Sequence, residues 1–227
     1  MFDRFRQRST QLERLDTGDY TPEEYARWHR EMRVIHRVFG EKRALQNSLI
    51  SNARGLAKER VSVLDVGAGS GELLAFVSDQ LEGRSSLIAG LEINASAAAT
   101  IKNLGSAVIR ADALKLPFAD DSFDYVYCSL FLHHLPGGAA VELVREMARV
   151  AAIRIYVIDL HRSPVAYYFY RAVGRIALQR FTRDDGALSI LRSFTPPELK
   201  QTAIDAGLKD VSVKRSWAYR LVLSARK

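Results

Sequence analysis

Three glycines set two residues apart, Gly67, Gly69 and Gly71, constrain this chain more than any other feature. They follow an apolar run, Val61-Ser62-Val63-Leu64-Asp65-Val66, that reads as a buried strand, and they precede an apolar-periodic helix beginning Glu72-Leu73-Leu74. Strand, tight turn and helix start in that order commit the chain to a βα unit. Glycine there admits positive φ and lets a ligand approach the main chain without meeting a Cβ, while the free N–H groups of the helix N-terminus open into the same space. A plain tight connection and a ligand-binding bend both fit this stretch alone.

A second landmark favours the ligand. Residues 87–93, LIAGLEI, read as the next strand, with Glu92 at its C-terminal end about 20 residues after the last glycine, where a carboxylate can chelate ribose hydroxyls in βαβ nucleotide folds. A dinucleotide fingerprint wants G-x-G-x-x-G, whereas these glycines are spaced G-x-G-x-G. With Asp65 before them, they resemble the first motif of class I S-adenosylmethionine (SAM) dependent methyltransferases. Further on, LPFADDSFDYVYCSLFLHHL (residues 116–135) is similar to the segment around the fourth strand of the small-molecule members, the group that includes quinone-biosynthesis enzymes. The resemblance spans roughly residues 60–160.

The resemblance implies SAM as cofactor, with S-adenosylhomocysteine (SAH) as product, and a set of ligands. Asp112, after the third strand, and the backbone of Ala113 match the positions that bind adenine. Asp65, Gly67, Ala68, Gly69, Gly71, Glu92, Ile93 and Ser129 match the remaining cofactor positions. The implied fold is α/β, a doubly wound and mostly parallel seven-stranded sheet of the Rossmann-like methyltransferase type. An antiparallel C-terminal hairpin and a helical N-terminal lid complete it. The alternation of strand and helix along the chain independently argues a doubly wound sheet.

The 227 residues suffice for one domain with a sizeable core plus additions. We divide them into an N-terminal helical extension, 1–58, and a cofactor-binding domain, 59–227, with an inserted helical lid at about 163–195. Residues 1–20, with Phe2, Phe5, Leu12 and Leu15 among four arginines, read as a short amphipathic helix. Thr21-Pro22-Glu23-Glu24 is a helix start with a capping box. A second helix is expected over 41–57, a single lid helix over 165–181, and strands over 211–214 and 217–224. A lone cysteine, Cys128, excludes an internal disulfide framework, and no Cys/His cluster has zinc spacing. With no apolar run of about 18 residues and a charged N-terminus, a cytoplasmic protein is expected.

Charge is unevenly placed. Residues 1–60 hold 13 Lys/Arg against 9 Asp/Glu, residues 61–159 hold 7 against 12, and residues 160–227 hold 13 against 5. The cofactor core is therefore acidic and its flanks basic. A solvated basic face, an anionic substrate, RNA and a membrane surface are all consistent with that pattern.

Methyl transfer from a sulfonium is a one-step displacement, so orientation supplies much of the acceleration and a base helps when the acceptor is a hydroxyl. His133 and His134 follow the fourth strand and His161 follows the fifth, which makes them the candidate bases, since imidazole titrates near neutrality. Tyr20, Trp28, Tyr167, Tyr168 and Arg171 are the candidate substrate contacts. We expect transfer to a small aromatic or lipophilic acceptor, at oxygen. No Asn-Pro-Pro-Tyr sequence and no cysteine pair points to DNA. An RNA or protein acceptor is the alternative suggested by the basic C-terminal third. A non-catalytic, membrane-associated SAM binder is the one suggested by the aromatic, basic stretch 165–181. Peripheral membrane contact is compatible with the first reading too.

Overall fold

The computed structural model describes residues 3–227, with the backbone alone at 36 and 37. A 3-10 turn at Asp3–Phe5 and a single helical turn, α1 (Arg14–Thr17), precede the long helix α2 (Pro22–Val38). Thr21 accepts from the Glu24 N–H at 3.2 Å and Glu24 accepts from the Thr21 N–H at 3.0 Å, closing the expected capping box. Helices α3 (Glu41–Leu45) and α4 (Ser51–Gly55) are joined without a break by a π-turn at Gln46–Ile50. The core then alternates: β1 (Val61–Val66), α5 (Glu72–Gln80), β2 (Ser85–Leu91), α6 (Ala95–Asn103), β3 (Ala107–Ile109), β4 (Phe123–Ser129), α7 (Gly137–Val150) and β5 (Ala151–Leu160). Helices α8 (Pro164–Ala177), α9 (Arg180–Arg192) and α10 (Pro196–Asp205) follow, and β6 (Lys209–Ser216) and β7 (Arg220–Arg226) end the chain.

The seven strands form one sheet in the order β3-β2-β1-β4-β5-β7-β6, parallel except for β7, which runs antiparallel to both β5 and β6. Strand order reverses between β1 and β4, which puts the crevice outside the C-terminal strand ends at that point. Alternation along the central strands assigns the two faces. Leu64, Val126, Cys128, Ile155 and Val157 bury against α7 and α10, while Val63, Tyr125, Tyr127, Tyr156 and Ile158 bury against the 41–55 helix and α5.

Several expectations are corrected. Residues 3–20 are not an amphipathic helix but an irregular strap with one helical turn, because its side chains bond to distant backbone instead of packing on one face; Phe2 lies outside the described residues. Arg8 donates to the carbonyls of Arg192 at 2.6 Å and Leu135 at 2.8 Å, and its guanidinium lies 3.9 Å from the Phe194 ring centre. The single lid helix is two helices. The break falls at Leu178–Gln179, where Gln179 is pinned to α2: its N–H donates to Glu31 and its side-chain amide to the Glu24 carbonyl. Trp217 leaves the sheet in a 3-10 turn, Trp217–Tyr219, because Ala218 adopts a left-handed φ of 53°. The strap, α2, α8 and α9 together roof the strand ends.

Candidate active site

Under that roof lies a cavity of about 970 Å3. Its floor is the glycine bend. Gly67, Gly69 and Gly71 take φ of 73°, 56° and 80°, and the N–H groups of Gly67 and Ala68 bond the Leu91 carbonyl, which ties the bend to the end of β2. A Cβ on Gly69 would meet nothing within 4 Å, so the bend stays open to the cavity there. A Cβ on Gly67 would stand 2.7 Å from the Phe131 ring, which packs directly on the main chain. Gly71 caps α5 and abuts Ile101 of α6; it shapes the bend without reaching the cavity wall.

Glu92 stands where β2 ends. One carboxylate oxygen accepts from the Gly69 N–H at 2.9 Å and the other from the Asn94 N–H at 2.8 Å, so its position is fixed relative to the bend. Asp65 lies beneath, buried, accepting from the Tyr127 hydroxyl at 2.7 Å. Burial lifts its carboxyl to about 7, opposed by the Tyr127 bond and helped by the charge of Glu92. Ser129 reaches the wall from the end of β4, and its hydroxyl is buried with no hydrogen-bond partner among the described residues. An unsatisfied buried hydroxyl beside an open glycine and two carboxyls is a polar cradle that fits the adenosyl and methionyl parts of SAM.

Of the residues expected to bind the cofactor, Asp65, Gly67, Ala68, Gly69, Glu92, Ile93 and Ser129 border the cavity. Asp112 and Ala113 do not. The Asp112 carboxylate is exposed and turned back on its own loop, accepting from the Leu114 N–H at 2.9 Å, and Ala113 is buried in the core. The substrate contacts also divide. Tyr20 and Trp28 border the cavity, in a stack with Tyr25 between them at ring separations of 4.9 and 5.8 Å. Tyr167, Tyr168 and Arg171 do not. The twist of α8 turns Tyr167 into a small core with Ala187 and Ile190, where its hydroxyl accepts from Arg171 at 3.0 Å, and leaves Tyr168 on the outside. Phe169 and Tyr170 take their place on the wall.

All three candidate histidines border the cavity, and one is held as a base would be. His133 sits in a 3-10 turn, Leu132–His134, directly after β4 and beside the end of β5. Asp159 of β5 accepts the His133 N–H at 3.0 Å, contacts its Nδ1 at 2.7 Å, and accepts the Leu160 N–H at 2.7 Å. Burial alone would lift this carboxyl, but the His133 ring and the two N–H groups outweigh it and hold Asp159 below its usual range. Through this contact the carboxylate orients the ring, with Nδ1 toward Asp159 and Nε2 on the opposite side. That nitrogen faces Glu13 of the strap, 3.9 Å away.

Burial raises Glu13 to about 7, against the nearby His134 and Arg192. His134 bonds Asp16 through Nδ1 at 2.9 Å, and Arg192 bonds Asp16 and donates to the His134 carbonyl at 2.6 Å. The atoms of Glu13, His133 and His134 are close enough to hold an ion, but Arg192, 3.5 Å from the same Glu13 oxygen, already places a cation there. Burial, with Arg215 and Arg162 adding to it, pushes His161 down, and its ring has no carboxylate partner among the described residues.

Sequence reasoning missed Asp159, Glu13 and Phe131. Asp159 ends a strand beside the crevice, which is signal enough to have found it. Glu13 carries no local signal at all.

A family described as a methyltransferase domain matches residues 63–153. The demethylmenaquinone methyltransferase of Roseiflexus sp. (strain RS-1) is 32% identical over 177 residues, covering 70% of each chain. That of Shouchella clausii (strain KSM-K16) is 28% identical over 173 residues, 67% of this chain and 72% of the relative. Among solved structures, magnesium protoporphyrin IX methyltransferase from Synechocystis PCC 6803 with bound SAH superposes with a TM-score of 0.64 at 16% identity, covering 95% of this chain and all of that one.

Proposed function

This chain belongs to the class I SAM-dependent methyltransferases, and from that premise we propose that it methylates a small, lipophilic aromatic acceptor at a hydroxyl oxygen, with His133 as the base. It is an enzyme, and its cofactor is SAM. When bound, that cofactor supplies an electrophilic methyl group on a sulfonium centre. The observation that carries the finer reading is the Asp159–His133 pair, held on the wall of an aromatic cavity.

The residues divide the work. Glu92, Asp65, Ser129 and the Gly67–Gly69 main chain hold the cofactor against the sheet. Tyr20, Tyr25 and Trp28 receive an aromatic ring, and the roof excludes water, so that alignment replaces diffusion. With SAM bound as methyl donor, His133 would take the proton that a hydroxyl acceptor gives up on methylation. The anionic Asp159 stabilises the resulting imidazolium, which then returns the proton to solvent. Asp159 is a positioning residue, since it acts through the ring.

An enclosed cavity suits a small acceptor better than RNA or a protein chain. The likeness to two demethylmenaquinone methyltransferases favours one other reading, a quinol acceptor with the new bond at a ring carbon. Mass spectrometry and NMR of the products from labelled SAM with naphthols and reduced naphthoquinones distinguish the two. His133→Asn and Asp159→Asn should each lower kcat about 10²- to 10⁴-fold with SAH affinity kept, and the double variant should lose no more than the worse single one. Asp159→Asn should also move the pH profile. Full activity in His133→Asn removes the base; methyl found only on carbon removes the oxygen.

A further inference from the structure

The rim of the cavity is apolar where solvent should make it polar. Helix α8 buries Ala166, Tyr167 and Gly174 on one side. On the opposite side, at helical spacing, stand Val165, Phe169, Ala172, Val173 and Ile176, all exposed, with Phe169 at 54% and Ile176 at 92%. This is a second apolar stripe on a helix that has already used its first for packing. Val165, Phe169 and Val173 belong to it and also to the cavity wall. Across the opening, Val38, Trp217 and Tyr219 are likewise both exposed and cavity-lining. Scattered apolar side chains on a surface mean little, but six around a single opening, continuous with a stripe leading away from it, form one patch.

The charge beside the stripe says what it meets. Arg175 stands exposed on its flank; Arg171, one turn earlier, is exposed but donates to the Tyr167 hydroxyl, and Arg180 at the start of α9 pairs with Asp184 at 3.4 Å. The C-terminal third to which they belong carries 13 basic against 5 acidic residues. A protein partner with an apolar groove would need no such border. A long cationic side chain bordering an apolar stripe, in a section of the chain with a basic excess, matches a lipid surface, with phosphates outside and hydrocarbon beneath. Among the described residues no helix is long and apolar enough to cross a membrane, so contact would be from one side.

We infer that the exposed face of α8 and the cavity rim rest on an anionic lipid bilayer, with the opening turned to the hydrocarbon boundary. An acceptor dissolved in the bilayer then enters between Phe169, Val173 and Trp217 without crossing water. Entry of the acceptor rests on the lipophilic substrate proposed above; adsorption to the bilayer does not.

Flotation of the full chain with vesicles, and no acceptor present, tests adsorption separately from turnover. Vesicles of phosphatidylcholine with about one-third phosphatidylglycerol should carry the protein upward, and pure phosphatidylcholine should carry much less. Ile176→Asp, which touches no cavity wall, should lower partitioning about tenfold, and Arg175→Glu should abolish the preference for anionic lipid. Calorimetric SAH binding by each variant verifies the fold. If the wild type stays with the aqueous layer, or Ile176→Asp floats as well as it does, the proposal is overturned. Sedimentation showing a dimer that Ile176→Asp dissolves, without flotation, overturns it in favour of a second copy of the chain. Flotation without SAH binding would sustain the bilayer contact and count against the enzyme.

Discussion

Glu13 shows how much one side chain can depend on its surroundings. Its carboxyl is raised from 4.5 to about 7, burial being the main cause. The native protein therefore keeps a proton that the unfolded chain releases, and between those two values the contribution of this residue to stability falls as pH rises, by about 3 kcal/mol in all. Glu13→Gln is neutral throughout, so it should gain on the wild type between pH 4.5 and 7 and run parallel to it above that window. Urea unfolding of both proteins at pH 5 and pH 8 measures the difference; equal gaps at the two pH values would contradict it. No pattern in the sequence singles out Glu13, because its burial is created by residues about 120 and 180 positions away, His133 and Arg192. Glu92 and Asp65 could be read directly, since each stands at a strand end beside a glycine bend. Asp112 is placed by resemblance alone, and the local turn that holds its exposed carboxylate outside the cavity wall is not something a resemblance carries over.

The sheet was legible for the same kind of reason. Apolar runs fix β1, β4 and β5, the first ended by the glycine bend, and capping boxes fix the starts of α2 and α10. The break between α8 and α9 was hidden, since the stretch is helical in character throughout and only contact with α2 interrupts it. Those two helices approach closely at a small residue: a Cβ on Gly186 would lie 2.1 Å from the Tyr170 hydroxyl, which in turn donates to the Thr182 carbonyl at 2.9 Å. Gly186→Ala must expel the Tyr170 ring from that seam. We expect it to cost about 1–3 kcal/mol and to raise KM for the acceptor more than the Kd for SAH, because Glu92 and the glycine bend lie on the other side of the cavity. Thermal melting and steady-state kinetics give the two values; a variant as stable as the wild type with unchanged KM would show that the seam does not shape the acceptor site.

A single cavity joins the sheet, the strap and the roof helices, so a ligand inside it stabilises all three at once. SAH at about 100 times its Kd should add about 2.7 kcal/mol and raise the melting temperature of a chain this size by about 5–10 °C. Scanning calorimetry with and without SAH checks this, and an unshifted transition would mean that the cradle does not bind it. The roof itself is joined across most of the chain. The N–H groups of Arg14 and Leu15 both donate to the Asp185 carboxylate, and Arg192 binds Asp16 and Glu13. A ribosome adding about 5–20 residues each second makes the first of these partners many seconds before the second. Throughout that interval the glycine bend and Glu92 can already be in place on a growing sheet, while the chamber for the acceptor has no front wall. The front wall of the cavity is thus among the last parts of the fold that synthesis can complete, because the strap waits for α9 to emerge.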